Sequence, residues 1–231
     1  MNQEENNMQE IVTIDGPSGV GKSTISRRVA AMLSFTYLDT GAMYRAVGLK
    51  LQNADVDLSN DSDVKSCLQQ ISISLQPAAT EDDEVTVILD GQDVSQEIRS
   101  PEMSMVASKV SALPAVREKL TRMQQEIGCR GSIVAEGRDT GTVVFPEAAW
   151  KFYLDADPEE RMHRRANQLR LQGKEVNEEE LLQMIIKRDH DDQTRTIAPL
   201  SKAVDAVTID TSVLGIDDVV AKMVGVIRNK Q

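Results

Sequence analysis

Apolar positions recur along this chain with two periods. The runs Ile11-Val12-Thr13-Ile14, Thr36-Tyr37-Leu38, Ser132-Ile133-Val134-Ala135, Trp150-Lys151-Phe152-Tyr153-Leu154 and Ala203 to Asp210 are short and rich in β-branched or aromatic residues. Such runs predict buried strands of a parallel sheet. Between them, Ile25, Val29 and Leu33, then Met43, Tyr44, Val47 and Leu51, then Val116, Leu120 and Met123 recur at helical spacing. Ile216 to Arg228 repeats that pattern at the end of the chain. Strands alternating with helices predict an α/β fold of three layers, with a five-stranded parallel sheet in the middle.

Two stretches depart from this rhythm. From Asp55 to Ser111 the chain turns acidic, and Ile71–Leu75 and Val85–Leu89 alternate in the manner of an antiparallel pair ending at Asp90-Gly91. Pro77-Ala78-Ala79-Thr80 reads as the loop between them, and Pro101 to Val110 and Pro114 to Gln125 as helices leading back to the sheet. Residues 56–111 are therefore expected to form an inserted β-rich subdomain within a single domain spanning 1–231. The second departure begins at Pro158, placed for the first turn of a helix. Gln172-Gly173-Lys174 divides it into two helices carrying Arg161, Arg164, Arg165, Arg170, Arg188 and Arg195. An arginine-rich helical hairpin of this kind predicts a short lid, residues 158–180, closing over phosphates. Arg188, Asp192 and Arg195, spaced i, i+4, i+7, are expected on one face of its second helix.

The most specific chemistry lies between the first strand and the first helix. Gly16-Pro17-Ser18-Gly19-Val20-Gly21-Lys22-Ser23-Thr24 fits the phosphate-loop pattern G-x-x-x-x-G-K-[ST] without a gap. The glycines let successive amides turn inward on a phosphate chain, and the positive end of the following helix adds to that field. Lys22, on a flexible and solvated loop, would reach the terminal phosphates, and the Ser23 hydroxyl would ligate Mg²⁺. ATP is the expected nucleotide. Asp39 or Thr40 is placed to cap the next helix, with Arg45 on its first turn at the carboxyl end of the second strand, where α/β sheets bind ligands. After the third strand, Glu136-Gly137-Arg138-Asp139-Thr140-Gly141-Thr142 reads as a second loop at that edge.

Composition narrows the partners. The chain has 231 residues and a net charge of −11, which argues against a general nucleic-acid binder and calls for a locally basic cleft in an acidic shell. Cys67 and Cys129 have no metal-binding spacing, and the acidic amide-rich start, Met1 to Glu10, lacks the pattern of a signal peptide. No apolar run approaches a membrane span. His163 and His190 lie among charged residues and are expected at the surface. A monomeric cytoplasmic protein acting on small molecules, bound to neither nucleic acid nor membrane, is the expectation.

Three segments together resemble the bacterial cytidylate kinases, a family of nucleoside-monophosphate kinases: I-D-G-P-S-G-x-G-K at 14–22, D-T-G-A-M-Y-R at 39–45 and G-R-D-T-G-T-V-V-F-P at 137–146. The stretch from Arg188 to Leu200, ending T-I-A-P-L, is similar too. The resemblance implies a phosphate-loop kinase fold, transfer of the ATP γ-phosphoryl group to CMP or dCMP with Mg²⁺, and a monophosphate-binding role for the insertion. Carried over by position, it implies that Arg45, Arg138 and Arg195 hold the acceptor phosphate. Ser108, Arg117 and Asp139 would read cytosine, and Arg188 and Asp192 would reach the sugar. Lys22, Arg138 and Arg195, with the lid arginines Arg161 and Arg165, are the expected catalytic set. Thr40, also on the substrate side, stands where the family commonly has serine, and Glu136 where aspartate is expected. Transfer between two polyanions needs positioned positive charge more than a strong base, which suits such an arginine set. A guanine-specific switch would need N-K-x-D, and the only Asn-Lys pair is at 229–230. A shikimate- or gluconate-type kinase would lack the cytosine-reading set and the large insertion.

Overall fold

The computed structural model describes residues 10–77, 80 and 83–229. Its centre is a parallel sheet of β1 (Ile11–Asp15), β2 (Thr36–Asp39), β6 (Ile133–Gly137), β7 (Trp150–Asp155) and β8 (Val207–Asp210), in the order β2-β6-β1-β7-β8. Alternating side chains divide between two helical layers. Val12, Ile14, Val134 and Phe152 pack with α1 (Lys22–Leu33) and α8 (Ile216–Arg228) through Ile25, Val29, Val219, Met223 and Ile227. On the other face Leu38, Ile133 and Ala135 meet α2 (Thr40–Asn53) and α5 (Pro114–Gly128) through Met43, Val47, Val116 and Leu120. Burial on both faces explains why the inner strands β1, β6 and β7 carry few polar residues, whereas the edge strands β2 and β8 are partly exposed.

Between α2 and β6 lie α3 (Asp61–Leu68), β3 (Ile73–Gln76), β4 (Thr86–Leu89), β5 (Gln92–Asp93), a 3₁₀ turn (Glu97–Arg99) and α4 (Pro101–Val110). The strands form an antiparallel sheet, β3-β4-β5. Ile73, Val87 and Ile98 join the same apolar cluster as Met43 and Leu120, so this small sheet shares the core of the central one. α4 crosses α2 closely at Gly48, where a Cβ would come within 2.7 Å of Val106 Cγ1. The predicted strand pair is present, and α4 and α8 have the predicted bounds. β5 and α3 were not foreseen. The Asn60 side chain caps α3 by accepting from the amides of Ser62 and Asp63, a signal available in the sequence. Part of the predicted 77–80 loop and the tail before Glu10 lie outside the described residues. α6 (Pro158–Leu171) and α7 (Glu178–Thr194) form a hairpin with its own small cluster, Met162, Ala166 and Leu181.

Four local expectations are corrected. Glu136 and Gly137 are not loop: β6 runs through them, because its neighbours continue the ladder to Asp39↔Glu136 and Asp15↔Gly137. Only then does the chain turn, through a single π-helical turn at Thr140–Val144. β8 is confined to Val207–Asp210, since Ala206 N–H closes a turn on Ala203 O at 3.0 Å. Arg45 sits on the second turn of α2, whose first residue is Thr40. Arg195 lies just beyond α7 in an extended conformation, so it does not share a helix face with Arg188 and Asp192. The chain bends back there, with Leu200 N–H donating to Asp192 O at 2.8 Å and Arg195 Nε to Ala198 O at 2.5 Å. Among the described residues no helix is long and apolar enough to cross a membrane. His163, His190 and Cys129 are exposed, and Cys67 is half-buried.

Candidate active site

Because β1, β2 and β6 are parallel neighbours, the segments following them emerge at one edge of the sheet. After β1 the chain enters the 16–24 loop. Gly16 has φ +149, and a Cβ there would lie 2.1 Å from Leu154 O on β7, so only glycine lets the loop leave the sheet so close to its neighbour. Gly19 and Gly21 are also left-handed, with φ +84 and +88. Gly21 precedes α1 without a side-chain cap, leaving the first amides of the helix for an anion. Lys22 is not on a solvated loop: it is the first residue of α1, only 7% exposed, and its Nζ donates to Pro17 O at 2.5 Å. Burial, and then the nearby Arg138, push its pKa well below the usual lysine value. An arriving polyanion offsets both influences by favouring the charged ammonium.

At the end of β6, Glu136 Oε1 accepts from Ser23 Oγ and from Tyr37 OH, each at 2.7 Å. Its other oxygen, Oε2, is buried without a hydrogen-bond partner. Burial, reinforced by Asp39, raises the Glu136 pKa against the pull of Lys22. An unpartnered carboxylate oxygen beside a hydroxyl at a phosphate loop is the donor chemistry that a hard divalent cation takes. Among the described residues no cluster of three or more acidic, histidine or cysteine side chains could hold a metal alone. That fits a cation completed by nucleotide phosphates and water. Sequence reasoning left Glu136 without a role, and it overlooked Asp15. This buried carboxylate accepts from Thr140 N–H (2.9 Å), Thr140 Oγ1 (2.8 Å) and Gly141 N–H (2.8 Å). It thereby ties the turn that carries Arg138 and Asp139 to the base of the 16–24 loop. An aspartate ending β1 just before a phosphate loop was the available signal.

The expected acceptor residues come together from separate elements. Asp139 sits between Arg117 of α5, with which it forms a close ion pair, and Arg195, whose Nη2 lies 3.2 Å from its Oδ1. Burial raises the Asp139 pKa, and Arg117 and Arg195 pull against it. Tyr44 of α2 packs beneath Arg117, 5.7 Å from ring centroid to guanidinium carbon, and burial pushes its hydroxyl up to about 12. Arg138 Nε pairs with Asp192 at 2.9 Å, and Arg45 with Asp39 at 3.3 Å. Burial and the approach of Arg138 hold Arg188 down to about 10. Thr40 Oγ1 donates to Glu136 O at 2.6 Å, so its hydroxyl braces β6. Ser108 is joined to the group indirectly: its carbonyl accepts from Ser111 Oγ, which in turn accepts from Arg195 Nη1. Ser111 was missed because nothing in its sequence context separates it from an ordinary helix-end serine.

Two expected catalytic arginines have their guanidinium groups engaged by the protein itself. Arg165 is held by Gln168 of its own helix at 2.5 Å, one turn along α6, and the structure does not bring it to the others. Arg161 is at the site but turned toward the protein, its guanidinium taken up by Ala156 O, Ser18 O and Asp189.

A parallel sheet whose first strand feeds a phosphate loop, faced across one crevice by paired arginines and carboxylates, defines a P-loop phosphotransferase for a small anionic acceptor. Residues 12–229 match the family model "Cytidylate kinase". The chain is 46% identical over 219 residues to the cytidylate kinase of Carboxydothermus hydrogenoformans, covering 95% of this chain and 97% of that protein. It is 46% identical over 220 residues to that of Shewanella sp. (strain MR-7), covering 95% of each. A solved structure of an uncharacterised protein from Eubacterium ventriosum shares the fold at TM-score 0.52 and 11% identity, over 96% of this chain and 99% of that one. The chain belongs to the cytidylate kinase family, and it is an ATP-dependent CMP kinase.

Proposed function

We propose that the chain transfers the γ-phosphoryl group of ATP to both CMP and dCMP, with the 16–24 loop as donor site and the Arg45, Arg117, Arg138, Asp139 and Arg195 group as acceptor site. The observation that carries this reading is the convergence of the two halves: Asp15, at the root of the loop, holds the turn that bears Arg138 and Asp139. The loop amides and Lys22 bind the ATP phosphates. Arg138 and Arg195 draw the acceptor phosphate in and offset charge as it spreads over the transferring oxygens. Asp139, an acceptor, matches the N4 amino group of cytosine, while Arg117, a donor, matches N3 or O2. Ser108, through Ser111, braces that base-reading edge. Arg188 and Asp192, one turn apart on α7, are set to meet the sugar.

Ser23 and Glu136 would hold Mg²⁺, which would screen the phosphate charges as the two anions approach. Residues 56–111 serve as the monophosphate-binding subdomain and 158–180 as a lid that excludes water. The test is a coupled assay with ATP, Mg²⁺ and a panel of CMP, dCMP, UMP, AMP, GMP and shikimate. Comparable kcat/KM for CMP and dCMP, well above the others, is expected. Selective loss of dCMP would narrow the reading to ribonucleotides, and a preference outside cytidine would overturn it.

A further inference from the structure

A loop that offers N–H groups to phosphate must aim its carbonyls elsewhere, because C=O and N–H point in opposite directions across a planar trans peptide. In this chain side chains take up three carbonyls of the 16–24 loop. Pro17 O accepts from Lys22 Nζ at 2.5 Å. Ser18 O accepts from Arg161 Nη1 at 3.1 Å, and Val20 O from Thr211 Oγ1 at 3.1 Å. The lysine is part of the phosphate-loop pattern, but Arg161 lies in the first turn of α6 and Thr211 follows β8, both far away in sequence. Each is 2% exposed. The Arg161 stem also packs beneath Gly19, where a Cβ would meet Arg161 Cβ at 3.3 Å. Its Nε donates to Ala156 O at 3.0 Å and its Nη2 to Asp189 Oδ2 of α7 at 2.5 Å. Arg188, next to Asp189, donates to Ser18 Oγ at 3.2 Å. Ser18 is thus gripped from both helices of the hairpin, through its carbonyl by one and its hydroxyl by the other.

We infer that Arg161, oriented by Asp189 and assisted by Thr211, is a positioning residue that sets the Ser18–Gly19 peptide so that the Gly19 N–H faces the ATP phosphates. Its guanidinium grips the back of the loop, and phosphate meets the front. The planar fork is the property used: it spans acceptors on the loop, on the α6 entry and on α7 at once, which a lysine ammonium on a single stem does not do. The inference rests on reading residues 16–24 as the ATP site.

The experiment compares wild type, Asp189→Asn, Arg161→Lys and Thr211→Val. It measures KM for ATP and for CMP separately, with hydrogen exchange of the loop amides in the nucleotide-free protein. Wild-type turnover of CMP with ATP tests the underlying reading, and the differences among variants test the inference. Asp189→Asn keeps the shape but removes the charge that orients the fork. It should raise KM for ATP roughly tenfold, as weakening of a charge-assisted hydrogen bond does. KM for CMP should stay within about twofold, and loop amides should exchange faster. Arg161→Lys should do the same although it keeps the charge, and Thr211→Val should do so more weakly. If Arg161 were a phosphate ligand instead, freeing it by Asp189→Asn would leave KM for ATP unchanged or lower it, and Arg161→Lys would largely retain function. Either result, or equal rises in both KM values with unchanged exchange, would overturn the assignment. Thermal midpoints distinguish a poorly folded variant, and the Arg161→Lys and Thr211→Val proteins carry the test should Asp189→Asn fail to fold.

Discussion

The two halves of the crevice solve opposite problems. The donor half is a contiguous loop whose shape is set from behind: Gly16 nestles against β7, and its carbonyls are held by Lys22, Arg161 and Thr211. The acceptor half is a constellation from α2, α5, the turn after β6, α7 and the segment beyond it. Its cations are paired with the protein's own carboxylates, Arg117 and Arg195 with Asp139, Arg138 with Asp192, and Arg45 with Asp39. A buried charge left unpaired is costly, so the acidic partners stabilise the cluster until a nucleotide arrives. The donor half is thus shaped in advance, while the acceptor half must exchange internal ion pairs for contacts with the substrate.

Variants that act on one half and spare the other sharpen this contrast. The largest effect is expected at Arg138, which the Asp15 tie places between the halves. Arg138→Ala should lower kcat by ~10³–10⁵, and steady-state kinetics beside Arg228→Ala on α8 checks it. Lys22→Met keeps the buried stem and removes the charge, and a loss of ~10²–10³ in kcat with little change in KM for CMP is expected. Equal losses in binding of both nucleotides would erase the distinction between the halves.

A smaller effect, at Asp139, should be confined to the acceptor half. Asp139→Asn presents an amide that can donate to O4 of uracil. The CMP/UMP ratio of kcat/KM should narrow by about one to two powers of ten, chiefly through weaker CMP, as expected when one buried group loses its partner. An unchanged ratio with lower overall activity would return Asp139 to a phosphate or metal role. Glu136 gives a pH signature. Burial raises its pKa above the ordinary glutamate value of 4.5, so its ionisation works against folding. That penalty is absent below about 4.5 and grows as pH climbs through the folded-state value. The thermal midpoint of Glu136→Gln minus that of wild type should therefore become more positive from acid to neutral pH. The smallest change is expected at Arg165, held by Gln168 on the flank of α6. Arg165→Ala should stay within about 0.5 kcal/mol in stability and near wild type in kcat.

How much of the site could be read in advance follows the same division. The donor loop was legible because strand, glycines, lysine and helix are consecutive, and local backbone requirements leave a local trace. On the acceptor side Arg117, Asp192 and Arg195 were named beside Arg138 and Asp139, but the ion pairs among them were not. Ser111 reaches the site only because Arg195 turns back beyond α7, and nothing near Ser111 records that. Arg161 shows the limit most clearly. Its place in an arginine-rich helix suggests a phosphate ligand, whereas its burial against Gly19 and Asp189 makes it part of the scaffold.

The sequence by itself determined the alternation of strands and helices, the phosphate loop, a cap at Asp39 or Thr40, and the antiparallel pair of the insertion. These depend on side-chain period and on backbone conformations that neighbouring residues control. Only the tertiary structure decided that β6 slips between β2 and β1 and carries Glu136 to Ser23 and Tyr37. It alone decided which arginine faces a carboxylate, a carbonyl or the open crevice. Those outcomes depend on burial and on partners more than a hundred residues apart, as with Ser23 and Glu136. The free energy of a charged group is set by what surrounds it in space, not by its neighbours along the chain.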